Sequence, residues 1–186
     1  MDKSLNKIRH ERSKRDFPGL KLEDDEFVEF AFSRSKICLL LILGCTSLGL
    51  IVVLFVFLLI LMKQDMLDAM GRNFLFILLT ALLVAAVIIG AISYSIYRGN
   101  KLFITNRHAI QFVMTSPFST SVNIIELSKV EDASFKQEGI IQNMFRYGTF
   151  RLATVGDETT YTFKYVSVTP ETLKAVSKLI SSYKDN

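Results

Sequence analysis

Few residues in this chain have types and spacings that could carry chemistry. The histidines are His10 and His108. His108 stands alone in the C-terminal region, so a metal site or a Ser/His/Asp arrangement would have to rest on it. It follows Arg107 at an expected turn, and a surface turn residue is the simpler reading. His10 sits in a charged stretch with no ligand partners nearby. The signatures GxGxxG, GxxxxGK[ST], HExxH and CxxC are missing. Cys38 and Cys45 both fall inside an apolar run, so they form neither an extracellular disulfide framework nor a metal motif. They read as two small apolar residues, with palmitoylation of Cys38 as a lesser alternative. The residues therefore predict no catalytic, cofactor-binding or metal site and no cofactor, and the chain reads as a non-enzyme.

What remains is a set of basic side chains, Lys136, Arg146, Arg151 and Lys164, interleaved with apolar neighbours. On a strand this pattern gives a shared outward face that could hold an anionic lipid headgroup or an acidic peptide. The plainer alternative is the solvated side of a sheet, favoured by the nearby Glu131, Asp132 and Glu138. The net charge of +4 is modest and no nucleic-acid motif accompanies it, so nucleic acid is not an expected partner.

The elements that must position these residues are dominated by two apolar runs. Ile37–Met62 and Phe74–Tyr97 each lack any charged residue. At about 26 and about 24 positions, both exceed the roughly 20 that cross a bilayer as a helix. Backbone groups in hydrocarbon must pair within the segment, which predicts a two-helix transmembrane hairpin over 37–97. The mean hydropathy of +0.33 comes largely from these runs. The long charged region ahead of the first run, and the run's length, argue against a signal peptide. Arg34 and Lys36 precede the hairpin, and Arg98, Lys101 and Arg107 follow it. The connector 63–73 carries Lys63 and Arg72 against Asp65 and Asp68. Orientation follows Lys and Arg near the helix ends, which places both termini in the cytoplasm and the connector outside, a multi-pass arrangement. Cys45 and Gly49 on the first helix, and Ala81, Ala85, Ala86 and Gly90 on the second, have the small-residue spacing that lets helices pack. They are read as packing the hairpin, with self-association as the sharper option. No ionisable residue lies within the runs, which weighs against a coupled transporter.

Residues 1–21 are rich in Lys and Arg and poor in apolar residues, which predicts a disordered basic tail. This tail either lies on anionic lipid or is merely solvated. Residues 22–36 change character, and Phe27, Val28, Phe30 and Phe32 favour a strand that must pair with something. Residues 98–186 are expected to form a C-terminal domain, in which the apolar period becomes two from Lys101. Leu102 and Ile104, then Ile110, Phe112 and Met114, then Val122 and Ile124 alternate, followed by Phe150 and Leu152 and by Tyr161, Phe163 and Tyr165. Asn106, Pro117, Gly139 and Gly156-Asp157 supply turns. IIQNMFRYG reads as a short helical turn ended by Gly148. A last helix is N-capped by Thr169, with Pro170 at its first position and an apolar stripe of Leu173, Val176, Leu179 and Ile180. The fold class expected is a membrane protein of α+β type: a transmembrane hairpin plus a small antiparallel barrel or sandwich of five or six strands, closed by a C-terminal helix.

The run Leu102-Phe103-Ile104-Thr105-Asn106-Arg107, the block Met144-Phe145-Arg146-Tyr147-Gly148-Thr149-Phe150-Arg151-Leu152 and the final YVSVTPETLKAVSKLI resemble bacterial pleckstrin-homology (PH) domains of the YdbS-like membrane family. There a hydrophobic hairpin precedes a strand ending in an LTNR-like motif. A block with Gly where this chain has Arg146 comes later, then a final helix. The resemblance covers roughly residues 22 to 182. It implies a PH-like domain, completed by the strand before the hairpin. That scaffold hosts lipid binding, peptide binding and scaffolding, so the ligand does not follow from it. With that resemblance, the leading expectation is a non-enzymatic interaction or scaffold module anchored in a bacterial inner membrane, at its cytoplasmic face. Its partners would be the bilayer and other proteins, or a second copy of itself. The alternatives are an anionic-headgroup reader or a small subunit of a transport or export complex.

Overall fold

The computed structural model describes residues 2–62, 69–154 and 160–184. The chain divides into two compact units, one of residues 1–35 with 98–186 and one of residues 36–97.

The second unit holds α2 (Lys36–Met62) and most of α3 (Ala69–Gly99). At 1.5 Å per residue they are about 40 and 46 Å long, more than the ~30 Å of a bilayer's hydrocarbon. Both are long and apolar enough to cross a membrane. Their apolar side chains are largely exposed, among them Leu48, Ile51, Phe55, Ile77, Val87 and Ile88, unlike the buried helix of a soluble core. The few hydroxyls bond to their own helix: Thr46 Oγ1 to Leu43 O, Ser47 Oγ to Gly44 O, Thr80 Oγ1 to Phe76 O and Ser95 Oγ to Ala91 O. Such pairing is what an apolar surround demands. The Phe57 ring meets Phe76 edge-on at 5.3 Å. Arg72 and Asn73, expected in the connector, belong to α3; positions 63–68 lie outside the described residues.

The first unit contains α1 (Asp2–Asp16), β1 (Val28–Ser33), β2 (Lys101–Thr105), β3 (His108–Ser116), β4 (Ser119–Glu126), β5 (Val130–Lys136), α4 (Ile140–Met144), β6 (Gly148–Thr154), β7 (Thr160–Val166) and α5 (Pro170–Lys184). The strands form two antiparallel sheets, β1-β2-β3-β4 and β5-β6-β7. No closed barrel forms among the described residues. The link between the edges of β1 and β7 is a single bridge, Arg34 to Val166. The two sheets enclose the main core, built from Phe32, Leu102, Ile104, Phe150, Leu152 and Phe163 and sealed by Val176 and Ile180 of α5. Phe32 stacks on Phe150 at 5.4 Å, joining the sheets directly. Thr169 caps α5 through Thr172 N–H at 3.2 Å, as its sequence position suggests.

Three expectations are corrected here. Residues 2–16 are helical, not a disordered tail. The helix is held by polar contacts that a count of apolar residues does not reveal: Ser13 Oγ accepts from Val28 N–H, His10 Nδ1 donates to Glu26 O, and Arg9 pairs with Glu29 at 3.5 Å and covers the Phe27 ring. After α1, Phe17 and Leu20 cover the other face of the first sheet, where Phe17 meets Phe103 edge-on at 5.0 Å. Consequently Leu102, Phe103 and Ile104 are all buried, and β2 reads as a continuous apolar run where alternation was expected. Finally, Val122 and Ile124 are exposed and Ile125 is inside, because Phe112 and Ile110, opposite them on β3, face the α1 side. The Gly156-Asp157 turn lies outside the described residues.

Candidate anion-binding face

Strand alternation and register decide where the four expected cations lie. On β6, Phe150 and Leu152 point into the core, so Thr149 and Arg151 point out. Lys136 is opposite Thr149, Thr149 is opposite Lys164, and Arg151 lies between Ser134 and Thr162. Lys136, Arg151 and Lys164 therefore share the outer face of the second sheet. Lys136 and Lys164 are two strands apart, about 10 Å. Arg146 is not on that sheet. It occupies the turn between α4 and β6 at φ 52, and its carbonyl accepts from Ser167 Oγ at 2.9 Å. This left-handed residue, and not Gly148, ends the helical turn. A left-handed backbone is the physical reason for a glycine preference at this position. Gly148 is needed for a different reason: a Cβ there would sit 2.4 Å from Lys136 O.

The positive face is partly neutralised. Glu138 lies 2.7 Å from Lys136 Nζ. The Lys136 hydrogen bond and charge, with a smaller contribution from Arg151, hold the Glu138 carboxyl below its usual value. The β7 end adds a cation that sequence spacing did not group with the others. Tyr165 is a bulge residue at φ 63, and its ring lies 5.8 Å from Arg34 Cζ and 6.3 Å from the Tyr147 ring. Arg34 reaches this place through the β1–β7 bridge, a contact that local pattern cannot show.

The residues expected to pack the helices do not share one surface. Gly49, Ala85 and Ala86 line a groove of about 290 Å³ between α2 and α3. Ala81 and Ala85 border a second groove formed by α3 alone with Phe76, Ile77 and Thr80. Cys45 is exposed. A Cβ added at Gly49 or Gly90 would meet nothing within 4 Å, so neither glycine marks a close helix approach.

A buried polar network was the least visible feature. Glu26 is 1% exposed. It accepts from Glu23 N–H at 3.0 Å, Thr105 Oγ1 at 2.6 Å and His108 Nδ1 at 2.9 Å. Burial pushes its carboxyl up, but these donors together outweigh burial and hold it below the usual value. His108 is thus a partner of Glu26, not a free surface residue. Asn106 Oδ1 accepts from Phe27 N–H at 3.0 Å, and Tyr183 Oη donates to Asn106 O. The Thr-Asn-Arg-His turn therefore fastens the segment before α2 to the domain and to α5. The signal was present as an acidic residue beside an apolar strand, together with a Thr-x-x-His spacing.

Comparison with family models gives a match to "Bacterial PH domain" over residues 38–183. The match begins within α2 and ends in α5, taking in both apolar helices and every strand but β1. Among solved structures, the chain is similar to a DUF1696 family protein with a pleckstrin-homology domain from Shewanella loihica PV-4. That similarity has 11% identity and a TM-score of 0.33, and covers 45% of this chain and 69% of that one. Comparison with curated proteins gives no match. Two antiparallel sheets closed by a C-terminal helix, within a family match that spans most of the chain, lead to one conclusion: the chain belongs to the bacterial PH domain family.

Proposed function

We propose that this protein is an integral membrane protein of the YdbS-like kind, whose PH domain is held at the cytoplasmic face by a hairpin of α2 and α3 and acts there as a non-enzymatic interaction module. The observation that supports it most is a register. Ser33, near the end of β1, pairs with Lys101 at the start of β2. α2 begins at Lys36 and α3 ends at Gly99, so both apolar helices leave the domain from one end of one strand pair. That connection suits a chain that enters and leaves a bilayer on one side, with both termini on that side. Arg34, Lys36, Arg98 and Lys101 flank these exits, in keeping with cytoplasmic placement. Fractionation tests the anchor: the full chain stays in membranes washed with alkaline carbonate. Release into the wash contradicts it.

The shared outward face of Lys136, Arg151 and Lys164 favours a second reading, in which the same domain holds an anionic phospholipid headgroup. Anionic lipid then co-purifies with the detergent-solubilised chain and is lost from the triple alanine variant. Equal lipid in both removes this reading.

A further inference from the structure

The loop that joins β5 to β6 exposes several apolar side chains at the surface. Some of its polar groups bond within the loop itself. Gln137 Nε2 donates to Gln142 O and Tyr147 O, Glu138 N–H donates to Gln142 Oε1, and Asn143 Nδ2 donates to Gly139 O. Its apolar side chains are exposed alongside Glu138 and Asn143: Ile140 is 84%, Met144 64% and Ile141 49% exposed. Bare apolar side chains on a short, internally bonded loop suit a segment that rests in the interfacial layer of a bilayer.

The loop's position matters as much as its composition. It connects the Lys136 end of β5 to the Gly148 end of β6, which is the end of the sheet where Gly148 pairs with Val166. At that same end Arg34 bridges to Val166, and Ser35 N–H donates to Tyr165 O at 2.6 Å. Ser35 is the last residue before α2. The β3–β4 tip repeats the arrangement on the other sheet. Lys101 is opposite Phe112, yet β3 continues to Ser116, so the tip reaches about 15 Å past the start of β2. It runs alongside the exit from α3, where Asn100 Nδ2 donates to Met114 O at 3.0 Å. At its tip Phe118 is 99% exposed. Two separate loops thus carry bare apolar side chains at the end of the domain from which both apolar helices depart. Arg146 follows α4 directly, Lys136 precedes the loop and is paired with Glu138, and Tyr165 beside Arg34 supplies an amphipathic ring, a residue type that settles at headgroup depth.

We infer that α4 and the Pro117–Phe118 tip are membrane-docking points: Ile141, Met144 and Phe118 insert into the interfacial layer of the lipid bilayer and fix the PH domain flat on the surface. The inference rests on the anchored reading above and adds a second, peripheral attachment. Side chains at such points sit about 5–10 Å into the headgroup and acyl boundary.

The test uses the full chain with Cys38→Ala and Cys45→Ala, carrying one cysteine labelled with an environment-sensitive fluorophore. The positions are Phe118→Cys, Ile141→Cys and Met144→Cys. Leu48→Cys, exposed on α2, reports the anchor. Ser128→Cys reports the opposite end of the domain, where Glu126 pairs with His108. Each variant is reconstituted into phosphatidylcholine vesicles with and without doxyl-labelled lipid. The expected result is blue-shifted, doxyl-quenched emission at 48, 118, 141 and 144, and unquenched emission at 128. Quenching at 48 with none at 118, 141 and 144 overturns the docking inference and leaves the anchor standing. A blue shift at 141 without doxyl quenching also overturns it, because protein and not lipid then covers the loop. Absence of quenching at 48 overturns the anchored reading and the inference with it.

Discussion

Replacing Glu26 by Gln keeps the shape of the side chain and removes its charge. The carboxylate accepts three hydrogen bonds, two at Oε1 from Thr105 and His108 and one at Oε2 from Glu23 N–H. A glutamine offers one acceptor. With its oxygen toward Thr105 and His108, two bonds survive without charge assistance, and the amide NH₂ confronts the Glu23 N–H. Bonds to a charged group contribute about 1.5–3 kcal/mol, against about 0.5–1.5 for neutral ones. Losing one and weakening two, offset by the easier burial of an amide, leaves a net loss of about 2–3 kcal/mol. At about 4 °C per kcal/mol for a domain of this size, the melting midpoint falls by roughly 8–12 °C. Near-UV circular dichroism of the full chain in detergent reads this change from the packed tyrosines of the domain. A fall of under about 2 °C, the scale of an ordinary surface substitution, refutes the central place given to this network.

Three further outcomes follow from the same geometry. Because the Glu26 carboxyl is lowered in the folded state, its contribution is present above the usual carboxylate value of about 4.3 and is lost as pH falls below it. Midpoints measured between about pH 5 and 3 therefore drop more steeply in the parent than in Glu26→Gln, and parallel curves contradict the assignment. Arg146→Gly relieves a left-handed backbone at φ 52, a cost of about 1–2 kcal/mol for a side-chain-bearing residue, partly offset by greater freedom when unfolded. The unfolding free energy from denaturant titration then rises by about 0.5–1 kcal/mol, and a loss of stability counts against the strain. Gly148→Ala forces a Cβ against Lys136 O and the Phe135 ring and costs about 1–3 kcal/mol by the same measurement, whereas an unchanged midpoint shows that the strands separate freely there.

The parts of the fold that sequence pattern made legible are those governed by local periodicity. The two apolar helices, the Thr169 cap and the stripe through Val176 and Ile180 depend on spacing alone. Three cations of the candidate face were also legible, because strand alternation put Lys136, Arg151 and Lys164 on one side. The fourth was not, since Arg146 follows a helical turn whose left-handed exit obeys no period. α1 escaped for another reason: it has no apolar stripe, and single polar contacts from Arg9, His10 and Ser13 hold it. That docking in turn buried the second face of β2 and hid its alternation. Glu26 and His108 are 82 positions apart, and only the pairing of β1 with β2 brings them together.

The most direct test of the central claim, a PH domain anchored by a two-helix hairpin with both ends in the cytoplasm, is cysteine accessibility in intact cells. In the Cys38→Ala, Cys45→Ala background, single cysteines replace Asp65 in the connector and Ser128 on the domain. A maleimide that cannot cross the inner membrane should label position 65 in cells with a permeable outer layer, and position 128 only after the membrane is opened. Labelling of 128 in intact cells, or protection of 65 until lysis, contradicts it.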